Sequence, residues 1–145
     1  MFRGNYPSRV DDKGRIKVPA DFKRTLDERY SAKFYITSLD GQVANIYPID
    51  EWERIEAKMA GLSNLNPAKK KWLNKVNYYG QEVEMDAQGR LLLPQLLRQS
   101  ANLSGDVTVQ GNLTYLEVCN LAVSDAKAKE EFTAEDAKTL EELGI

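Results

Sequence analysis

A ten-residue pattern in this chain recurs at an offset of 75 positions, and that recurrence constrains the fold more than any other feature of the sequence. Val10-Asp11-Asp12-Lys13-Gly14-Arg15-Ile16-Lys17-Val18-Pro19 reads against Met85-Asp86-Ala87-Gln88-Gly89-Arg90-Leu91-Leu92-Leu93-Pro94, with Asp, Gly, Arg and Pro identical at matching places. The likeness continues from Pro19–Leu26 into Pro94–Ala101. Phe34–Thr37 then parallels Val107–Gln110, and Gly41 and Gly111 each interrupt a β-prone run. Two copies imply a pseudo-dimer within one chain, because a unit of roughly 45 residues cannot bury an adequate core alone.

Each copy reads as strand, tight turn, strand, short helix and two further strands. Asp at the first turn position and Gly at the fourth (Asp11 and Gly14, Asp86 and Gly89) is the chemistry of a type I turn. The carboxylate accepts local backbone N–H groups, and Gly takes the left-handed conformation as the return strand begins. Pro19 and Pro94 suit the first turn of a helix, where a missing N–H costs nothing. Asp40-Gly41 between β-rich runs signals a hairpin.

Between the copies the pattern turns helical. Trp52, Ile55 and Met59 form an apolar stripe, with Asp50 as expected N-cap and Glu53 completing a capping box. A second helix is expected from Pro67, with Ala68, Trp72 and Val76 on one face. The predicted architecture is α+β and β-rich. Repeat units span 5–51 and 81–124, a helical connector 52–80, and an acidic, partly helical and loosely attached tail 125–145.

Composition removes several function classes. The 145 residues include no His and one Cys. That leaves no Ser-His or Cys-His pair, no imidazole ligand, no internal disulfide and no Cys-rich zinc site. No cofactor, metal or small-molecule substrate is expected. The absence of a long apolar run and of an apolar leader core predicts a cytoplasmic protein with no membrane partner. The net charge of −2 conceals a gradient, from +4 over residues 1–33 to −5 over residues 117–145.

Met1-Phe2-Arg3-Gly4, Asp11-x-x-x-Arg15 with Lys13-Gly14 inside it, Val18-Pro19, Tyr47-Pro48, Glu51-Trp52 and Asp86-x-x-Gly89-Arg90-Leu91-Leu92-Leu93-Pro94 together resemble the MraZ family. The likeness runs from residue 1 to about residue 121. It implies two AbrB-like (swapped-hairpin, SpoVT-AbrB type) units and a ring-shaped homo-oligomer. It also implies a transcriptional regulator, associated with the nucleoid. Such a regulator binds repeated promoter boxes upstream of the division and cell wall gene cluster, its own gene included. Two positions depart from the pattern: Cys119 stands where the family commonly has Trp, and the tail after Ser124 matches nothing fixed.

Strand alternation refines the expected DNA contact. Arg15 and Lys17 share one face of the first return strand, with Lys13 at its turn, whereas the second copy offers Arg90 beside Leu92. Lys13, Arg15 and Lys17 of the first hairpin are therefore the main candidates, with Arg3 and Arg9 in support and Arg90 as a subsidiary. Leu92 is better suited to packing or a subunit interface. The alternative role for Arg15 and Arg90 is a turn-stabilising pair with Asp11 and Asp86, and it is favoured for Arg90, whose neighbours are not basic. An enzyme built on Asp11/Asp12 or Glu82/Glu84/Asp86 lacks a partner or pocket. An antitoxin-like interaction module would draw on the acidic tail, and Lys69-Lys70-Lys71 is a minor rival DNA site.

Overall fold

The computed structural model describes all residues from Met1 to Ile145. The first copy contains β1 (Asn5–Val10), β2 (Arg15–Lys17), α1 (Ala20–Arg29), β3 (Lys33–Thr37) and β4 (Ala44–Pro48). The connector contains α2 (Ile49–Ala60) and α3 (Pro67–Tyr79). The second copy follows with β5 (Gln81–Glu84), β6 (Arg90–Leu92), α4 (Gln95–Ser100), β7 (Gly105–Asn112) and β8 (Tyr115–Asn120). Two helices end the chain, α5 (Leu121–Ala128) and α6 (Ala134–Glu142). No helix is long and apolar enough to cross a membrane.

All eight strands join one antiparallel sheet in the order β5-β3-β4-β8-β7-β1-β2-β6. Its two ends, β5 and β6, are consecutive in the chain and meet through the Asp86 N–H donating to the Arg90 carbonyl, so the sheet is a nearly closed barrel. The order interleaves the copies. β5 pairs with β3 and β6 with β2, so each strand of the second hairpin bonds to a strand of the first copy. Near-closure also limits the exposed edge that an open sheet would present for aggregation.

Alternation along the strands decides which side chains meet inside. Val10, Ile16, Phe34, Ile36, Ile46, Leu91, Val107, Val109, Leu116 and Val118 are buried in one core. Phe22 and Leu26 of α1 and Leu97 of α4 pack into the same core, so neither copy has a core of its own. Fully burying each such side chain contributes about 1.5–3 kcal/mol. Pro7 is tolerated in β1 because β1 contacts β2 only at Val10, leaving most of that edge without a ladder partner.

The connector packs on the sheet from outside. Trp52 stacks on Tyr35 at 4.5 Å and on Trp72 at 5.4 Å between ring centroids, and Tyr47 stacks on Tyr115 at 4.4 Å. Trp72 therefore anchors its helix, as the sequence suggests. The Val76 carbonyl accepts from both the Tyr35 and Thr37 hydroxyls, tying α3 to β3.

Three details differ from the sequence expectations. Pro48, not Asp50, occupies the N-cap of α2, and no side chain caps that end. Asp50 and Glu51 instead lie in the first turn, where the helix dipole favours acidic groups, and Glu51 pairs with Arg54. Pro19 and Pro94 likewise occupy N-cap positions, one residue ahead of the helical turn in which they were expected. The capping box lies in the tail, where Thr133 and Asp136 bond reciprocally. Neither α5 nor α6 contributes a buried residue, and a Lys127–Glu117 ion pair at 2.7 Å holds α5 against β8.

Candidate nucleic-acid interface

The two turns have the same construction. Asp11 Oδ1 accepts from the backbone N–H groups of Lys13 at 3.0 Å and Arg15 at 2.9 Å, while the Asp11 carbonyl accepts from Gly14. Asp86 Oδ1 accepts from Gln88 at 2.9 Å and Arg90 at 3.0 Å, and its carbonyl accepts from Gly89. These backbone N–H groups favour the carboxylate form, so both Asp side chains titrate below their ordinary value of 3.8, Arg15 and Arg90 adding a smaller electrostatic effect.

Both glycines are favoured by their backbone conformation, and each lies close beneath a basic side chain. Gly14 has φ +83° and Gly89 φ +76°. A Cβ at Gly14 would lie 2.3 Å from the guanidinium carbon of Arg98 on α4, and one at Gly89 would lie 3.1 Å from the Lys23 stem on α1. Lys23 and Arg98 are equivalent at the 75-residue offset, and each lies over the turn of the other copy. The exchange extends to the backbone. Val18 N–H donates to the Gly89 carbonyl and Leu93 N–H to the Gly14 carbonyl, both at 3.0 Å.

Between the turns, β2 and β6 form a two-stranded ribbon with Arg15 opposite Leu92, Ile16 opposite Leu91 and Lys17 opposite Arg90. Ile16 and Leu91 point into the core, so Arg15, Lys17, Arg90 and Leu92 share the outward face. The expectation of two separate hairpins, one basic and one less so, is corrected by this register. Residues of both copies lie side by side on one surface. Nothing local to a three-residue strand could reveal its partner.

The arginines also reverse the expected pairing. Arg15 Nε lies 3.5 Å from Asp11 Oδ2, whereas the Arg90 guanidinium bonds to the Gln88 side chain and makes no ion pair with Asp86. Arg15 Nε is buried without a hydrogen-bond acceptor, and its two terminal nitrogens have no acceptor within the chain. A guanidinium held on one side with its fork free is suited to an external acceptor. Lys17 Nζ reaches the Gln88 carbonyl at 3.1 Å, spanning the ribbon.

The supporting residues are spread more widely. Arg9 forms an exposed ion pair with Asp106 at 2.7 Å across the β1–β7 ladder. Arg3 follows the Phe2–Leu113 bridge at the opposite end of β1, roughly 20 Å or more from the Asp11 turn at about 3.3 Å per residue. Lys13, Arg15, Lys17 and Arg90 are thus brought together, with Lys23 and Arg98 bordering them, while Arg3 lies apart. Neither Lys23 nor Arg98 is among the candidates named from the sequence, although the repeat offset pairs these two basic residues. Lys69 is buried, donating to the Leu62 carbonyl and Asn64, so Lys69-Lys70-Lys71 is not a continuous basic surface. No group of three or more Cys, Asp or Glu side chains is arranged to hold a metal ion.

Comparison with known proteins gives this two-copy chain its family. The family model described as "MraZ protein, putative antitoxin-like" matches residues 1–75 and 80–142. The chain belongs to the MraZ family. It is 60% identical to the transcriptional regulator MraZ of Acidobacterium capsulatum over the full length of both chains. It is 54% identical to that of Koribacter versatilis, again over both full lengths. The MraZ of Syntrophobacter fumaroxidans is 38% identical, covering 88% of this chain and 85% of its own. The family is one of transcriptional regulators rather than enzymes, and Glu82 and Glu84 are simply exposed positions on β5. The MraZ likeness also extends past residue 121 into the tail, which the sequence motifs alone did not reach.

Proposed function

We propose that this MraZ-family regulator binds double-stranded DNA sequence-specifically through the outward face of the β2–β6 ribbon. The observation that carries the reading is the free fork of Arg15, set among Lys13, Lys17 and Arg90 on one exposed surface. A two-stranded ribbon fits the major groove, about 12 Å wide, where Arg can take guanine O6 and N7 together. Lys13, Lys17 and Arg90 neutralise phosphates and position the ribbon, and Arg9 adds a contact when it releases Asp106. Arg3, distant on the same chain, would contact a more remote phosphate.

The targets are repeated boxes in the promoter of the division and cell wall gene cluster, and the site of action is the cytoplasm, at the nucleoid. One ribbon is a small footprint beside the roughly 1,000 Å² or more that specific interfaces bury. A ring-shaped homo-oligomer presenting several ribbons to tandem boxes would multiply affinity by about 10² to 10⁴. The exchanged β2–β6 pairing supports the swapped-hairpin, AbrB-like description, with units at 5–51 and 81–124, a connector at 52–80 and a tail at 125–145.

The test is a salt titration of binding to the gene's own upstream region. Affinity should fall steeply with salt for the native chain. Arg15→Ala should bind about 5- to 150-fold more weakly, the equivalent of a lost bidentate base contact, with unfolding unchanged. Equal binding by the two proteins at every salt concentration would remove Arg15 from the site. Equal affinity for one box and for several would remove the multivalent part.

A further inference from the structure

The ribbon is built on a repeat but is not symmetric. Had the copies stayed alike, both of its ends would carry the same outward pair. Instead Lys17 of the first copy corresponds to Leu92 of the second, so one end presents Lys17 with Arg90 and the other presents Arg15 with Leu92. Leu92 is 48% exposed and faces outward, away from the core that Leu91 and Leu93 enter. It is an apolar side chain on an otherwise cationic surface, directly across the strand pair from the arginine with the free fork.

We infer that Leu92 reads the C5-methyl of a thymine next to the base read by Arg15. This inference rests on the DNA-binding reading above and deepens it. Residues directly opposite in an antiparallel pair have Cβ atoms about 4.5–5.5 Å apart. That separation compares with about 3.4 Å between successive base pairs, so a guanidinium on one base places Leu92 over a neighbouring pair. The thymine methyl is the apolar feature of the major-groove edges, and an aliphatic side chain is its complement. A lysine here, as in the first copy, would take a phosphate or a base acceptor instead. The difference gives the ribbon a direction. A chain with pseudo-twofold backbone symmetry then recognises an asymmetric box in one orientation.

The experiment replaces each thymine of a single-box duplex from the gene's upstream region with deoxyuridine, which removes the methyl and keeps base pairing. Binding is followed by fluorescence anisotropy, with the oligomer mass recorded alongside. At one position the replacement should weaken the native chain about three- to fivefold, the value of one buried methyl. Leu92→Ala should bind the thymine duplex more weakly by a similar factor and be indifferent to the replacement. Leu92→Met, which keeps an aliphatic contact, should retain the sensitivity. Equal methyl sensitivity in the native chain and Leu92→Ala, or none in either, overturns the inference while leaving DNA binding intact. A changed oligomer mass in Leu92→Ala without a changed methyl response assigns Leu92 to a subunit contact and also overturns it. If the native chain binds no upstream duplex, the DNA-binding reading falls, and this inference falls with it.

Discussion

The turn segments Asp11–Lys17 and Asp86–Leu92 share a backbone and differ in what they show to the outside. Asp at the turn start, Gly at its end and the buried aliphatic of the return strand are the same in kind, because these residues make the turn and fill the core. The exposed positions have diverged, Lys13 to Gln88 and Lys17 to Leu92. Even the retained arginine is used differently, one held beside Asp11 and the other bonded to Gln88. What a fold needs is repeated in both copies, and what a partner would read is not.

The comparison is most severely tested in the core. Ile16 and Leu91 face each other in the ribbon and are both almost fully buried. Ile16→Ala and Leu91→Ala should each cost about 2–5 kcal/mol in urea unfolding. A large cost for only one would mean that the two copies do not share the core equally. Next in size is the difference between arginines. Arg90→Ala should weaken DNA binding less than Arg15→Ala, by roughly the few-fold of one phosphate contact, and should reduce the salt slope by about one. Equal losses would make the ribbon functionally symmetric.

A smaller effect is expected from acid. The folded-state values of Asp11 and Asp86 are depressed, so their turns contribute stability above the ordinary value of 3.8, lost as pH falls toward the depressed values. Unfolding midpoints should decline below about pH 5. Asp11→Asn and Asp86→Asn should each make that decline shallower, and by similar amounts. The smallest effect belongs to the tail. Removing residues 130–145 deletes α6, which contains no buried residue, and should shift stability by about 0.5 kcal/mol or less. A larger loss would show that α6 packs on another subunit.

Much of this was legible in the residues. The turns could be read because Asp and Gly act on backbone groups within four positions. Trp52, Trp72 and Val76 marked the connector helices because helical spacing is local. The start of α2 was misassigned because Asp50 has the composition of a cap, while Pro48 had already set the entry to the helix. Arg98 was missed because the feature that gives it a role, the bare face of Gly14, lies 84 positions away in sequence.

The sequence alone determined the repeat, its turns, the inward aliphatics and the basic outward residues of the first copy, since each depends on neighbours along the chain. Tertiary structure alone decided that β6 pairs with β2 and β5 with β3. Strands of three or four residues carry too little pattern to specify a partner. Closing the sheet around a shared core selects the pairing that buries both copies' aliphatics at once. That choice set Leu92 against Arg15 and turned two hairpins into one surface.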